Sequence, residues 1–196
     1  IYSNWRASED LGSYLRRNKV VGIEGIDTRA LTKHLREEGA KKGVISTKDL
    51  DSQSLVRKAK NSPGLEGRDL IKEVTCAKAY DWNKSGKYKV VALDSGIKHN
   101  ILRNLAARDC RVRVVPATTT AKEILAYKPD GLFLSNGPGD PAVLPYIVDA
   151  VKGTLDRVPI FGICLGLQII GQAFGGKTFK LKFGHHGGNQ PVIDIH

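Results

Sequence analysis

The 196-residue sequence contains no methionine, only two tryptophans and only three cysteines. Cys76, Cys110 and Cys164 are too few and too irregularly spaced for a disulfide framework or a zinc site, which indicates a reducing compartment. No apolar stretch approaches the roughly 20 residues of a transmembrane helix, and the first residues lack a signal-peptide pattern. We therefore expect no metal site, no membrane contact and a cytoplasmic location. Because the sequence begins with Ile1 and lacks methionine, we expect it to be an internal piece of a longer protein.

Positive charge predominates, since 31 lysines and arginines against 20 aspartates and glutamates give a formal net charge of +11. Such an excess can mark a nucleic-acid-binding protein. The basic residues are nevertheless dispersed and interleaved with acidic ones, as in KHLREEGAKK at residues 33–42, and they are not grouped with aromatic residues. We therefore expect no nucleic acid as a partner and favour a solvated surface that could serve an acidic partner.

The region from residue 89 to residue 196 alternates between short apolar runs and amphipathic helical patterns. Predicted strands lie at residues 90–93, 111–115, 131–134 and 159–163, and predicted helices lie at residues 101–106, 120–127 and 145–155. Such repeated strand–helix–strand units predict an α/β fold with an open, mostly parallel sheet and helices on both faces.

The first 76 residues predict part of a smaller α/β domain. Predicted helices lie at residues 10–17, from Asp27 or Thr28 to Gly39, and at residues 50–60. Two short apolar runs, at residues 20–23 and 43–46, predict strands. Periodicity is then lost in a polar segment, and we place a linker at residues 77–88.

A tight turn with a thiol is predicted where the apolar run at residues 159–163 passes through Gly-Ile-Cys-Leu-Gly into a helical pattern. This arrangement is the cysteine counterpart of the nucleophile elbow, in which flanking glycines let the chain reverse sharply. The amides and the dipole of a helix N-terminus favour thiolate over thiol. Cys164 is therefore a candidate nucleophile, and the backbone N–H of Leu165 is a candidate oxyanion donor. Alternatively, Cys164 is a small buried hydrophobe at a strand–helix junction.

A second glycine-rich loop, SNGPGDP at residues 135–141, follows the predicted strand 131–134. Because ligands bind at the carboxyl ends of parallel strands, both loops could face one cleft. Gly137 and Gly139 would let backbone amides approach a bound carbonyl closely. The loop lacks the third glycine of a dinucleotide fingerprint and the Gly-Lys-Ser/Thr ending of a P-loop, which excludes a nucleotide site here. The Asp-Ser-Gly at residues 94–96 could belong to the same cleft, although any turn after a strand favours such residues.

These two loops resemble those of the class I, triad-type glutamine amidotransferases, which have a flavodoxin-like fold. The resemblance rests on Cys164 with Gly162, Gly166 and Gln168, preceded by SNGPGDP. The stretches KLKFGHHGGNQPV at residues 180–192 and IDTRALTKHLREEGA at residues 26–40 narrow it to the small, glutaminase subunits of carbamoyl phosphate synthetase. The likeness covers nearly the whole chain, in three separated motifs.

The resemblance implies a site and a mechanism. Cys164 would attack L-glutamine, the amides of Gly139 and Leu165 would hold the oxyanion, and Gln168 and Gly137 match the glutamine-binding positions of the family. Ammonia would pass to a large synthetase subunit that makes carbamoyl phosphate from bicarbonate and ATP, for arginine and pyrimidine biosynthesis. No cofactor is implied on this chain, because ATP and its metal belong to the large subunit.

One departure from the family pattern concerns the rest of the triad. The family's histidine and glutamate lie in a His-x-Glu element near the carboxyl end, and none of the five histidines here is followed two residues later by an acid. We therefore expect the sequence to be truncated within the domain, with the triad histidine and glutamate beyond His196, and the fragment alone to be inactive. Leu167, where many relatives carry a polar residue, is a lesser departure because the triad does not use that position.

Two alternatives stay open at this point. One is another amidotransferase of the same fold, for example one serving anthranilate synthesis, against which the 180–192 stretch and the long N-terminal region argue. The other is a non-catalytic binding module that retains the elbow. Intact Gly162, Cys164, Gly166 and Gln168 argue against such decay.

Overall fold

The computed structural model describes residues 4–184 and Ile193. The chain divides into two compact units, one formed by Ile1–Gly64 with Lys180–His196 and the other by Leu65–Phe179. Within the described residues, no helix is both long enough and apolar enough to cross a membrane.

The described residues of the first unit contain three helices, as the sequence predicts. They are α1 (Leu11–Arg17), α2 (Thr28–Glu38) and α3 (Ser52–Asn61). Each begins after an aspartate whose carboxylate accepts hydrogen bonds from amides of the first turn, which replaces intrahelical partners that these amides lack. Helix α2 ends at Gly39, whose φ of 95° is available to glycine at little cost.

The two strands predicted for the first unit are wrong. Residues 20–23 and 43–46 have irregular backbone, and most of their side chains are exposed. An extended apolar run becomes a strand only when a neighbouring chain accepts and donates its backbone hydrogen bonds, and the described part of this unit provides none.

The second unit is built on a five-stranded sheet. Its strands are β1 (Tyr80–Asp81), β2 (Tyr88–Asp94), β3 (Cys110–Pro116), β4 (Gly131–Leu134) and β5 (Ile160–Gly162). Their spatial order is β1-β3-β2-β4-β5; the last four are parallel to one another, and β1 pairs antiparallel with β3 at one edge. The predicted mostly parallel sheet is therefore confirmed.

Five α-helices and one 3₁₀ helix precede, connect or follow these strands. They are α4 (Ile71–Val74), α5 (His99–Ala106), α6 (Ala121–Ala126), the 3₁₀ helix Pro141–Val143, α7 (Pro145–Lys152) and α8 (Leu165–Ala173). Three connect parallel strands, namely α5 between β2 and β3, α6 between β3 and β4, and α7 between β4 and β5.

The sheet buries a separate apolar layer on each face, because side chains alternate along each strand. On one face, Val91 and Leu93 of β2 pack with buried residues of α6, α7 and α8. On the other face, Ala92 of β2 and Phe133 of β4 pack with Leu102 of α5. Helices therefore lie on both faces, as predicted.

The sheet order also fixes where a cleft can form. The chain leaves β2 towards β3 on one side and then returns to add β4 on the other side of β2. In open α/β sheets, ligands bind at such a switch point, beyond the carboxyl ends of the strands.

Residues 77–88, the predicted linker, contain β1, and the second unit begins at Leu65. The predicted domain limits themselves stay a prediction.

Candidate active site

The two glycine-rich loops leave the sheet side by side. Strands β4 and β5 are parallel neighbours, with Leu134 opposite Gly162 in the register. The amide N–H of Ile163 then donates to the carbonyl of Leu134 at 3.1 Å, which extends the pairing to the turn. The loop after β4 and the turn after β5 therefore start from one edge of the sheet.

Cys164 occupies the turn between β5 and α8, where its thiol is exposed. Its backbone angles, φ 56° and ψ −112°, match the first central position of a type II′ turn, where glycine is the usual residue. Helix α8 starts immediately afterwards, and the carbonyl of Cys164 accepts the amide N–H of Gln168 at 3.2 Å. The predicted strand, tight turn and helix are confirmed. The alternative, in which Cys164 is a small buried hydrophobe, is wrong because the residue is exposed.

Two glycines allow the strand and the helix to meet at this turn. A Cβ on Gly162 would lie 2.5 Å from the carbonyl carbon of Gly166. A Cβ on Gly166 would overlap the carbonyl oxygen of Leu134 and lie 2.8 Å from Leu134 Cβ. These contacts are with backbone or with the adjoining strand, so they cannot be relieved by rotating a flexible side chain. Glycine at both positions is therefore a packing requirement of the elbow.

Leu165 places an amide at the site while its side chain anchors the helix. Its side chain is only 2% exposed and belongs to the apolar layer shared with α6 and α7. As the first residue of α8, its N–H has no intrahelical acceptor. The next amide, that of Gly166, donates to the carbonyl of Ile163 at 3.0 Å. The N–H of Leu165 is thus free of the helix and directly follows the thiol, as an oxyanion donor requires.

The loop at residues 135–141 lies against the start of α8. A Cβ on Gly137 would lie 2.8 Å from Leu165 Cδ2 and would overlap the carbonyl oxygen of Ser95. Gly139 has a φ of 93° and is exposed, and its α-carbon lies beside the backbone of Arg68 and the side chain of Leu70. The structure thus brings Gly137 together with Leu165, although they are 28 positions apart in the sequence.

Gln168 lies one helical turn beyond the thiol. Its amide N–H donates to the carbonyl of Cys164 at 3.2 Å, and its side chain is exposed. Gln168 therefore lies in the turn of α8 that adjoins Cys164, with its side chain accessible to a ligand.

The other two cysteines differ from Cys164 in their surroundings. Burial, together with the nearby carboxylate of Asp94, raises the pKa of Cys76 to about 11. Burial, and to a lesser degree the charge of Asp109, also raises the pKa of Cys110. Both thiols are partly buried, whereas that of Cys164 is exposed. Since the thiolate is the reactive form, Cys76 and Cys110 are poor nucleophiles near neutral pH.

Two side chains that the sequence did not single out connect the 135–141 loop to the turn after β2. Ser135 and Asn136 bond to the turn at residues 94–98, which follows β2. The carboxylate of Asp94 accepts the amides of Gly96 and Ile97 within that turn and the amide of Cys76, which precedes β1, each at 2.9 Å. The Asp-Ser-Gly segment therefore does belong to the same edge of the sheet. A signal was present, since polar residues directly followed two predicted parallel strands.

The histidines contribute no described group to this site. His34 lies on α2 in the first unit, and His99 begins α5, where its ring packs on that of Trp82 at 5.4 Å between centroids. His185, His186 and His196 lie outside the described residues, as does most of the stretch 180–192. Over the described ranges, no group of three or more His, Cys, Asp or Glu residues could hold a metal ion.

The fold and the elbow are those of an amidotransferase, and comparison with known families agrees. Residues 91–196 match the family "Glutamine amidotransferase class-I", which is more than half of the chain, so the chain belongs to that family. Residues 1–45 match "Carbamoyl-phosphate synthase small chain, CPSase domain". Both matches confirm the resemblance seen in the motifs.

Individual relatives carry the same description over nearly the whole chain. The "Carbamoyl phosphate synthase small chain" of Syntrophotalea carbinolica is 54% identical, and the match covers 97% of this chain and 54% of the relative. The protein of the same description from Escherichia coli is 48% identical, and the match covers 100% of this chain and 56% of the relative. The chloroplastic small chain of Oryza sativa is 51% identical, over 98% of this chain and 46% of the relative. The chain thus spans about half the length of the curated relatives it matches.

Proposed function

We propose that this chain is part of the glutaminase subunit of a glutamine-hydrolysing carbamoyl phosphate synthetase, with Cys164 as the nucleophile. The observation that carries the proposal is the exposed thiol at a glycine-type turn between a parallel strand and a helix. A residue with a Cβ is costly at such backbone angles, and strain of this kind clusters at active sites. The names of the relatives then supply the kind of amidotransferase.

The proposed reaction is hydrolysis of the side-chain amide of L-glutamine. The Cys164 thiolate forms a bond to the amide carbon, and the carbonyl π electrons move onto oxygen to give a tetrahedral oxyanion. The oxyanion collapses, the carbon–nitrogen bond breaks, and the nitrogen leaves as ammonia after taking a proton from a general acid. Water then attacks the thioester, which releases glutamate and restores the thiolate.

The backbone supplies the oxyanion site in this proposal. The amides of Leu165 and Gly139 would donate to the oxyanion, because the former is free of the helix and the latter lies in the exposed loop that packs against α8. Gly137 and Gln168 would contact the rest of the glutamine. The general acid and base is a histidine oriented by a glutamate, which the family resemblance implies nearer the carboxyl end of the full-length protein than His196.

A large synthetase subunit is the proposed partner. It would receive the ammonia and combine it with bicarbonate and ATP into carbamoyl phosphate for arginine and pyrimidine biosynthesis, so ATP and its metal would bind there and not to this chain. We propose that the protein is cytoplasmic, as the paucity of cysteine suggests. The N-terminal segment that matches the small-chain family model supports the choice of this partner over that of other amidotransferases.

The experiment uses the full-length protein that contains this chain, with and without its large subunit. Glutamate release from glutamine and carbamoyl phosphate formation are measured for Cys164→Ser and for Cys110→Ser, which alters a partly buried thiol at the start of β3. We expect Cys164→Ser to lose glutamine-dependent activity by a factor of at least about 10³, and Cys110→Ser to retain it. Supplying free ammonia should restore carbamoyl phosphate formation by the complex that contains Cys164→Ser.

Two results would count against the proposal. Undiminished glutamate release from Cys164→Ser would remove Cys164 as the nucleophile. Glutamate release without any carbamoyl phosphate formation in the presence of the large subunit would leave an amidotransferase that serves another synthetase.

A further inference from the structure

Asn136 joins the 135–141 loop to the turn at residues 94–98 with both ends of its side-chain amide. Its Nδ2 donates to the carbonyl of Gly96 at 3.0 Å, and its Oδ1 accepts the amide N–H of Lys98 at 3.2 Å. Both partners are backbone groups of the turn at residues 94–98. Because a carbonyl can only accept and an amide N–H can only donate, the orientation of the Asn136 amide is determined by its partners.

Ser135 adds a second bridge beside the first. Its Oγ accepts the amide N–H of Ser95 at 2.8 Å and donates to the carbonyl of Asn136 at 2.8 Å, and the residue is only 1% exposed. Gly137 then packs so closely on Ser95 that no Cβ fits between them. The first three residues of the 135–141 loop are thus held to the turn after β2.

Gly139, the proposed oxyanion donor, follows these three residues after only Pro138. Gly139 has no side chain of its own to hold it, and it is exposed with a positive φ. Even a Cβ added at Gly139 would lie 3.6 Å from the carbonyl oxygen of Arg68 and 3.7 Å from the side chain of Leu70, so neither neighbour packs tightly on this residue. The direction of its N–H therefore depends on how firmly the start of the loop is held.

We propose that Asn136 is a positioning residue for glutamine hydrolysis, which holds the 135–141 loop so that the Gly139 amide meets the oxyanion formed at Cys164. The inference rests on the proposed function and adds a residue to which the family's known chemistry and the sequence motifs gave no role here. A displacement of about 1 Å at a reacting group can reduce a rate by about 100-fold. Asn136→Ala removes both bonds at once, so we expect kcat for glutamine to fall by about 10-fold to 100-fold, with a smaller change in KM.

Asn83 provides a matched control in the same unit. Its side-chain amide also bridges two segments, since Nδ2 donates to the carbonyl of Cys110 at 2.9 Å and Oδ1 accepts the amide N–H of Val112 at 2.9 Å. Its Nδ2 makes a further, local bond to the carbonyl of Ser85 at 2.6 Å. Cys110 and Val112 lie at the amino end of β3, whereas the site lies beyond the carboxyl ends of the parallel strands. Asn83→Ala should therefore lower the unfolding temperature at least as much as Asn136→Ala does and leave kcat unchanged.

Alkylation of Cys164 separates positioning of the oxyanion donor from general damage to the elbow. Iodoacetamide reacts with the thiolate by displacement of iodide and forms no oxyanion. In the full-length protein with its large subunit, Asn136→Ala should thus be alkylated at Cys164 at the wild-type rate while it hydrolyses glutamine slowly. Asn136→Asp keeps the acceptor for the Lys98 amide but places a carboxylate oxygen against the carbonyl of Gly96, where two acceptors repel, so its kcat should fall at least as far as that of Asn136→Ala.

The outcomes distinguish the inference from the function on which it rests. An unchanged kcat in Asn136→Ala, or a kcat that falls equally in Asn83→Ala, would overturn the role of Asn136. Parallel losses of alkylation and hydrolysis would also overturn it, because the elbow itself would then be disturbed. A wild-type protein whose Cys164 alkylates rapidly but which does not hydrolyse glutamine would overturn the proposed function together with the inference.

Discussion

Replacing Cys164 with glycine should stabilise the protein while removing its nucleophile. At φ 56° and ψ −112°, the Cβ of Cys164 is crowded by its own backbone, whereas glycine adopts these angles freely. Cys164→Ala keeps the Cβ and therefore keeps the strain, and it also removes the thiol. The comparison of Cys164→Gly with Cys164→Ala thus isolates the backbone strain from the loss of sulfur.

The expected difference follows from two opposing contributions. A residue held in such a region costs about 1–3 kcal/mol. Glycine loses more conformational freedom on folding than alanine does, which costs about 0.5–1 kcal/mol. Cys164→Gly should therefore be more stable than Cys164→Ala by about 1 kcal/mol, which is a rise of about 2–4 °C in the unfolding temperature for a chain of this size.

Tryptophan fluorescence can report this change in the second unit alone. Trp82 packs against the apolar layer beneath α5, and the other tryptophan of the chain, Trp5, lies in the first unit. Thermal unfolding of the 196-residue chain is therefore followed in a Trp5→Phe background. The matched pair is Gln168→Gly and Gln168→Ala, at an exposed helical position in α8, where glycine should be the less stable by about 1 kcal/mol.

The sign of the difference is the test. Gln168→Gly should unfold at a lower temperature than Gln168→Ala. If Cys164→Gly likewise unfolds at the same temperature as Cys164→Ala or below it, the elbow stores no strain. The argument from strain to catalytic function would then lose its basis.

Two further predictions concern the same turn and its thiol. Gly166→Ala should lower the free energy of unfolding by about 1–3 kcal/mol, because its Cβ would overlap the carbonyl of Leu134. Gly171→Ala is the control in the same helix: its Cβ meets open space, so it should raise the free energy of unfolding by about 1 kcal/mol. Denaturant unfolding measures both. In a pH series of alkylation read by mass spectrometry, Cys164 should be modified first at pH 7, and Cys76 should be modified appreciably only as the pH rises towards its pKa of about 11. Faster modification of Cys76 at pH 7 would contradict the assignment of Cys164.

Local signals accounted for most of the fold. Helix starts at Asp10, Asp27 and Asp51 follow from carboxylates that bond to amides two or three residues away, so the sequence contains all the information. Strand β1 was not predicted, because a two-residue strand in a polar segment depends on its pairing with β3. The false strands at residues 20–23 and 43–46 fail for the same reason, since a strand depends on a partner that a local pattern does not specify.

The site also contains features that local sequence predicts and features that depend on distant residues. The elbow at Cys164 was predictable, because the residues that signal it lie between Gly162 and Gly166, although the contact of Gly166 with Leu134 of β4 was not visible in that pattern. The bonds of Asn136 were not, because its partners Gly96 and Lys98 lie about 40 positions earlier in the chain. Only the parallel register of the sheet brings the ends of β2 and β4 to one edge.

The nucleophile and its oxyanion loop are held by two sets of contacts that adjoin at one place. The position of Cys164 is fixed by backbone contacts of the flanking glycines with each other and with β4. The loop that carries Gly139 is fixed by hydrogen bonds to the turn after β2. Leu165 belongs to both, because its amide follows the thiol and its side chain contacts Gly137. A substitution that shortens Leu165 should therefore reduce stability and oxyanion stabilisation together, whereas Asn136→Ala should affect hydrolysis without slowing alkylation of Cys164.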